Sequence, residues 1–208
     1  LLSMKILMQF ALKHDYRIIS GDISTAFLHA EMTTEEPIFV KPPSEYYEDK
    51  NILWKLKRPL YGLKTAPKAW QDHFAKLLQN MGGIRSKAEA NVYYFPNEEN
   101  WLMVYVDDII LLGKSPDELF ERIKKQVLLR NTGELQEGQT IEFLGRQVKH
   151  EGDTIKIIPA KNYIQNMIDE HGMMNAKSVA TPGTKEVKRP VGVSTLNGEQ
   201  TTMCRRGV

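Results

Sequence analysis

Two apolar runs, Leu102-Met103-Val104-Tyr105-Val106 and Ile109-Ile110-Leu111-Leu112, dominate the hydrophobicity pattern, parted only by Asp107 and Asp108. Their lengths and their β-branched and aromatic content predict two buried strands joined by an Asp-Asp link. Residues 2–14 place Ile6, Leu7, Phe10 and Ala11 at helical spacing, which predicts an amphipathic helix. A short strand follows through Arg17-Ile18-Ile19 and ends in Gly21-Asp22-Ile23, delivering a carboxylate at its tip. Ile38 to Lys41 predicts a brief strand stopped by Pro42-Pro43, and residues 44–51 read as a polar loop. Ile52 to Lys57 alternates apolar residues with lysines, a half-exposed strand whose lysines face either solvent or phosphates.

Thr65 and Pro67 open a helix carrying the stripe Trp70, Phe74, Leu77 and Leu78, closed by Gly82-Gly83. Asn91 to Phe95 is a strand, and residues 96–100 turn the chain into the central hairpin. Ser115-Pro116-Asp117-Glu118 is a capping box for a helix burying Leu119, Ile123 and Val127. Beyond it, Ile141-Glu142-Phe143-Leu144-Gly145 leads through further strand residues and the turn Glu151-Gly152-Asp153 into Thr154–Ile158. Pro159-Ala160 opens a last helix expected to bury Tyr163, Ile164, Met167 and Ile168. The element order predicts an α+β fold with helices on one side of an antiparallel sheet. Residues 183–208 are polar with scattered Gly and Pro, and are expected to be poorly ordered.

Composition narrows this only a little. With 208 residues and 41% hydrophobic content, the chain can bury one sizeable core, or a domain and an appendage. Twenty-eight basic against 26 acidic residues leave a net charge of +2, so any nucleic-acid surface has to come from concentrating cations on one face. The single cysteine, Cys204, excludes a disulfide framework and a cysteine-rich zinc site, and fits a reducing compartment. Lys5 interrupts the apolar start and no small-residue cleavage site follows, which argues against a signal peptide; no stretch reaches membrane-span length. A chain beginning with Leu is expected to be a piece of something longer.

The acid pair is costly as electrostatics. Two carboxylates held about 4 Å apart repel by about 4 kcal/mol at an effective dielectric of about 20. A divalent cation would relieve that repulsion; a solvated acidic turn between ordinary strands would account for the same residues. Asp22 alone equally reads as a surface aspartate, Phe27 as a core aromatic, and residues 61–70 as a well-capped core helix.

Four strings in order change the weighting. Tyr105-Val106-Asp107-Asp108 resembles the Y-x-D-D signature of reverse transcriptases, and Asp22-Ile23-Ser24-Thr25-Ala26-Phe27 resembles their motif A. Leu60-Tyr61-Gly62-Leu63-Lys64-Thr65-Ala66-Pro67-Lys68-Ala69-Trp70, the most specific string, resembles the motif B region of copia-type LTR-retrotransposon reverse transcriptases. Phe143-Leu144-Gly145 resembles the family's primer grip. Thr65 stands where that family more often has Gln, and Pro59 where it has Ser; neither touches a metal ligand. Residues 2–182 carry the resemblance.

The resemblance implies an RNA-directed DNA polymerase fragment of a Pol polyprotein, adding dNTPs to a primer 3′-end by two-metal phosphoryl transfer with two Mg2+ ions, or Mn2+. It implies a polymerase palm with partial fingers over residues 1–135, and a primer-grip hairpin with the start of the thumb or connection over 136–182. Asp22, Asp107 and Asp108 would be catalytic, with the Ile23 carbonyl as a further metal ligand. Ala26, Phe27, Tyr61, Gly62 and Lys64 would bind the nucleotide, Phe27 acting as the steric gate under the sugar, and Phe143, Leu144 and Gly145 would grip the primer. The implied partners are an RNA or DNA template with primer, dNTPs, and the fingers, RNase H and integrase regions of a parent polyprotein. The implied location is the cytoplasm, in the virus-like particle of the parent element, or the nucleus. Two other readings stay open: a truncated remnant that binds nucleic acid or a partner without catalysis, and a two-carboxylate or two-metal hydrolase, which leaves residues 61–70 unexplained.

Overall fold

Successive residues of a strand point to opposite sides, so an apolar run without a polar break needs cover on both faces. The computed structural model, which describes residues 2–32, 36–46, 52–159 and 161–177, provides that cover. In chain order the elements are α1 (Leu2–His14), β1 (Arg17–Ile23), α2 (Ala26–His29), β2 (Phe39–Val40), β3 (Trp54–Lys55), α3 (Ala66–Asn80), β4 (Ile84–Arg85) and β5 (Val92–Phe95). There follow β6 (Asn100–Tyr105), β7 (Asp108–Gly113), α4 (Pro116–Lys124), β8 (Leu129–Glu134), β9 (Thr140–Phe143), β10 (Arg146–Glu151), β11 (Thr154–Pro159) and α5 (Lys161–Glu170). The described residues fall into two compact units divided after Ile158.

The fold is mixed α+β with antiparallel sheets. Six strands form one sheet in the order β4-β5-β6-β7-β1-β8; β11-β10-β9 form a second, and β2-β3 a small ribbon. Helices cover both faces of the six-stranded sheet, not one. On one side Ile19, Leu102, Val104, Ile109 and Leu111 pack with Trp70 and Phe74 of α3 and Leu119, Phe120 and Ile123 of α4. On the other, Ile18, Met103, Ile110 and Leu112 meet α1 together with Ile141, Phe143 and Val148 of β9 and β10. The unbroken apolar runs of β6 and β7 require this second layer.

Several local expectations shift. The buried face of α1 is Met4, Leu7, Met8 and Ala11, an i, i+3, i+4, i+7 set, which leaves Ile6 exposed. Neither Thr65 nor Ser115 caps its helix through the side chain. Thr65 already has helical backbone angles, unlike the extended residue a side-chain cap requires. In the β2-β3 ribbon Phe39 is exposed, and Ile52, Leu53 and Trp54 are exposed on both parities instead of hiding one. Helix α5 forms, but Tyr163, Ile164 and Met167 are exposed and Ile168 is half-buried. The expected tail, residues 183–208, and residues 178–182 of the connection lie outside the described residues. Among the described residues no helix is long and apolar enough to cross a membrane.

One glycine sets the spacing around the end of β1. A β-carbon at Gly21 would come 2.9 Å from both Leu129 Cδ1 and Phe120 Cε2, and 3.1 Å from the Arg130 carbonyl oxygen. Its absence lets β8 and α4 close on the strand that ends in Asp22. Gly21→Ala is therefore expected to lower unfolding stability by about 1–3 kcal/mol through overpacking, read as a shift of the urea midpoint at unchanged slope.

Candidate active site

The sheet register brings Asp22 and Asp108 together although they lie 86 positions apart in sequence. Asp22 is the direct antiparallel partner of Asp108, which in turn pairs with Tyr105 across the central hairpin. On its other side Asp22 pairs with Arg130 of β8. Tyr105, Asp108, Asp22 and Arg130 thus form one row across β6, β7, β1 and β8. Facing residues in such a row hold their β-carbons roughly 4.5–5.5 Å apart on the same face.

The turn itself differs from the expected Asp-Asp link. Tyr105 pairs with Asp108, so the two linking residues are Val106 and Asp107, and Asp108 is the first residue of β7. Val106 has φ +58°, a left-handed conformation in which a β-branched residue is an outlier. A positive φ at the first turn position is the type II′ pattern, normally given to glycine, and such strain costs on the order of 1–3 kcal/mol. Two hydrogen bonds bracket Asp107. The Trp70 indole Nε1–H donates to the Val106 carbonyl at 2.6 Å, and the Ile23 N–H donates to the Asp107 carbonyl at 2.7 Å.

Charge follows from this crowding. Burial pushes the Asp108 carboxyl up, Asp107 and Asp22 push it further, and a backbone hydrogen bond from Leu144 partly opposes them. The Tyr61 hydroxyl is also raised, by desolvation first and then by Asp107 and Asp22, so it lies within their field. Arg130 donates from Nη2 to Asp22 Oδ2 at 2.8 Å. Among the described residues no three His, Cys, Asp or Glu are gathered closely enough to hold a metal ion as they stand. Asp22 is engaged by Arg130 instead. In kind, three mutually repelling carboxylates with hard oxygen donors suit a divalent cation, which would replace the guanidinium as counter-charge.

The remaining expected residues sort into two groups. Leu144 and Gly145 form the two-residue turn between β9 and β10, with φ of +53° and +64°, the type I′ pattern. With Tyr105, Val106, Asp107, Asp108 and Arg146 they line an open cavity of about 560 Å³. Phe143 is instead buried beneath that turn in the core. Phe27 is only 8% exposed and meets the Tyr61 ring at 4.5 Å between centroids. Ala26 is buried, its backbone hydrogen-bonded to Tyr61. Gly62, with φ +95°, and Lys64 are exposed on the loop before α3.

Arg130, Arg146 and the indole N–H of Trp70 were not expected at this site. Leu129-Arg130-Asn131-Thr132-Gly133-Glu134 shows no apolar alternation, so nothing local marks β8 as a strand. Trp70 is legible as a core residue, but its hydrogen bond depends on where the hairpin lands.

A family model described as reverse transcriptase (RNA-dependent DNA polymerase) matches residues 1–185. The chain belongs to the reverse transcriptase family. Relatives within it include a Ty5-1 transposon protein of Saccharomyces cerevisiae, 30% identical over 166 residues that cover 77% of this chain and 52% of that protein. The Pol polyproteins of transposon TNT 1-94 from Nicotiana tabacum and transposon RE1 from Arabidopsis thaliana are 29% and 27% identical, each over 86% of this chain. The chain spans about half the length of the yeast transposon relative, and 14% and 12% of the two plant polyproteins. Apo telomerase from Candida tropicalis, truncated from its C-terminal domain, superposes with a TM-score of 0.41 at 12% identity, covering 75% of this chain and 39% of that one.

The raised Asp108 carboxyl gives a signed expectation. A carboxyl that holds its proton more tightly when folded contributes most to stability at low pH, and that contribution is lost as pH rises through its folded value. In chelator, Asp108→Asn should raise the melting temperature relative to the parent at pH 7, and the gain should vanish below the ordinary carboxylate range. Paired melts across that pH range check it.

Proposed function

We propose that this chain is the polymerase palm of a copia-type retrotransposon reverse transcriptase, with partial fingers over residues 1–135 and the primer-grip hairpin and the start of the thumb or connection from 136. It would add deoxynucleotides to a primer 3′-end on an RNA or DNA template. The observation that carries the reading is the facing of Asp22 and Asp108 across adjacent strands, with Asp107 at the turn beside them. A hydrolase with paired acids would need the same juxtaposition, but it gives no role to the string from Tyr61 to Trp70, which here packs onto that site.

In this reading Asp22, Asp107 and Asp108, with the Ile23 carbonyl, would hold two magnesium ions. Bound, such ions neutralise charge on the attacking and leaving oxygens of an in-line phosphoryl transfer. The protein's own share is positioning. The antiparallel pairing of β1 with β7 fixes the carboxylates on a rigid sheet, and the Ile23 N–H tethers the Asp107 backbone to the end of β1. Phe27, backed by Tyr61, is a wall against a 2′-hydroxyl. Gly62 keeps the loop close to the nucleotide, Lys64 supplies a cation to phosphate or template, and the Leu144-Gly145 turn, seated on Phe143, bears on the primer end. Arg130 holds Asp22 Oδ2, so that oxygen would serve a metal only with the ion pair open. The RNase H and integrase functions would belong to other regions of a Pol polyprotein.

Magnesium-dependent primer extension on an RNA template tests the reading. Asp107→Asn is expected to lower the rate about a thousandfold or more, and a mutant with parental activity would reject the assignment. A chain that binds template-primer yet never extends it, with all three aspartates intact, would favour the non-catalytic reading. Phe27→Ala is expected to admit ribonucleotides; an unchanged ratio of dNTP to rNTP incorporation would remove Phe27 from the gate.

A further inference from the structure

Val106 stands in a conformation its side chain resists, at the turn that presents Asp107. A two-residue link between paired strands calls for a positive φ at its first residue, so the hairpin asks this conformation of Val106, while the peptide between the two linking residues lies outside the ladder and needs another partner. What contacts the strained peptide is Trp70. Its indole N–H donates to the Val106 carbonyl, and that carbonyl belongs to the peptide leading directly into Asp107. Orienting this peptide plane therefore sets the direction in which the Asp107 side chain leaves the backbone.

Trp70 is well placed to act as a fixed post. It is 2% exposed. Its ring stacks on Phe74 at 4.9 Å and 20° and on His73 at 6.0 Å and 27°, and meets His29 at 6.1 Å. His29 in turn contacts the Ser24 carbonyl at 3.2 Å, just past the end of β1. The indole is thus wedged between α3 and the segment that follows Asp22. Held from the other side by Ile23, Asp107 is bracketed between two anchors that both trace back to the end of β1.

We infer that Trp70 is a positioning residue for the active site, its indole N–H holding the left-handed Val106–Asp107 peptide so that Asp107 faces Asp22. Ring packing alone would be served by any large aromatic; the hydrogen bond needs the N–H. The inference rests on the polymerase reading for its catalytic consequence but not for its structural one. Glycine at 106 adopts a positive φ at no steric cost, so it frees the turn from its dependence on the tether.

The test is a double-mutant cycle in the full chain with Trp70→Phe, Val106→Gly and the pair. A second variant at position 70, the tryptophan isostere benzothienylalanine, keeps ring size and lacks only the N–H. Three quantities are read: the unfolding midpoint, Mn2+ affinity of the free protein by titration calorimetry, and kcat against KM for dNTP in primer extension. Trp70→Phe and the isostere are both expected to weaken Mn2+ binding and lower kcat by about tenfold, the order of one hydrogen bond, with KM little changed. In the Val106→Gly background the same substitutions should cost about threefold or less, and the destabilisation should shrink with them. If the isostere leaves Mn2+ affinity and kcat at parental values, or if the losses are equal in both backgrounds, Trp70 is only a core residue and the inference fails. Should the parent chain neither bind Mn2+ nor extend primers, the polymerase reading fails instead. The coupling between positions 70 and 106 in the unfolding midpoint then decides this inference by itself, its presence supporting the tether and its absence overturning it.

Discussion

Two carboxylates directly opposite each other in neighbouring strands are an arrangement that sheets avoid, because like charges in a cross-strand pair repel. Asp22 and Asp108 occupy such a pair, with Asp107 adjoining. The surrounding structure is organised to tolerate that repulsion. Arg130 bonds Asp22 from β8, a backbone N–H from the β9-β10 turn bonds Asp108, and deep apolar packing on both sheet faces keeps β1 and β7 from sliding apart. A sheet with one solvated face would have little to resist the strands' separation at that end.

The two cores divide the labour. The side holding α3 and α4 supports the turn and β1: Trp70 reaches the Val106 carbonyl, and Phe120 and Leu129 fill the space left by the missing side chain of Gly21. The side holding α1 supports the second sheet, where Ile141, Phe143 and Val148 seat the β9-β10 hairpin so that its Leu144-Gly145 turn meets the acids. Both layers therefore converge on one end of the central strands, and the site is a product of the whole unit rather than of a loop.

Sequence made the strands around the acids legible because an unbroken apolar run has few alternatives, and it made α3 legible because Trp70, Phe74 and Leu78 repeat at helical spacing. The turn at Glu151-Gly152-Asp153 between β10 and β11 was legible from its residues, whereas the Leu144-Gly145 turn that parts β9 from β10 was not. The turn position was misread for a physical reason: rules of turn propensity point to Asp-Asp, whereas the pairing of Tyr105 with Asp108 puts β-branched Val106 in the positive-φ slot of a two-residue link. The β8 strand was invisible because Asn131 and Gly133 are poor strand residues and the segment has no apolar alternation, and its identity comes from pairing with β1. The face of α1 was rotated because its methionines, flexible and easily mistaken for filler, outcompete Ile6 for the core. In each case the missing information was a partner distant in the chain.

The step in register between Ser20 and Gly21, where β8 gains a residue on β1, carries a consequence of its own. Because side chains alternate sides along a strand, that offset determines which member of β8 looks toward Asp22. Without it, the pairing that joins Ile19 to Glu134 and Ser20 to Gly133 would bring Asn131 level, and the acid would face a neutral amide. The chain thus selects its internal counter-ion by a miscount of one: on this outermost strand, regular pairing carried on from Ser20 with no residue removed takes Arg130 out of line with Asp22 without altering any acidic residue.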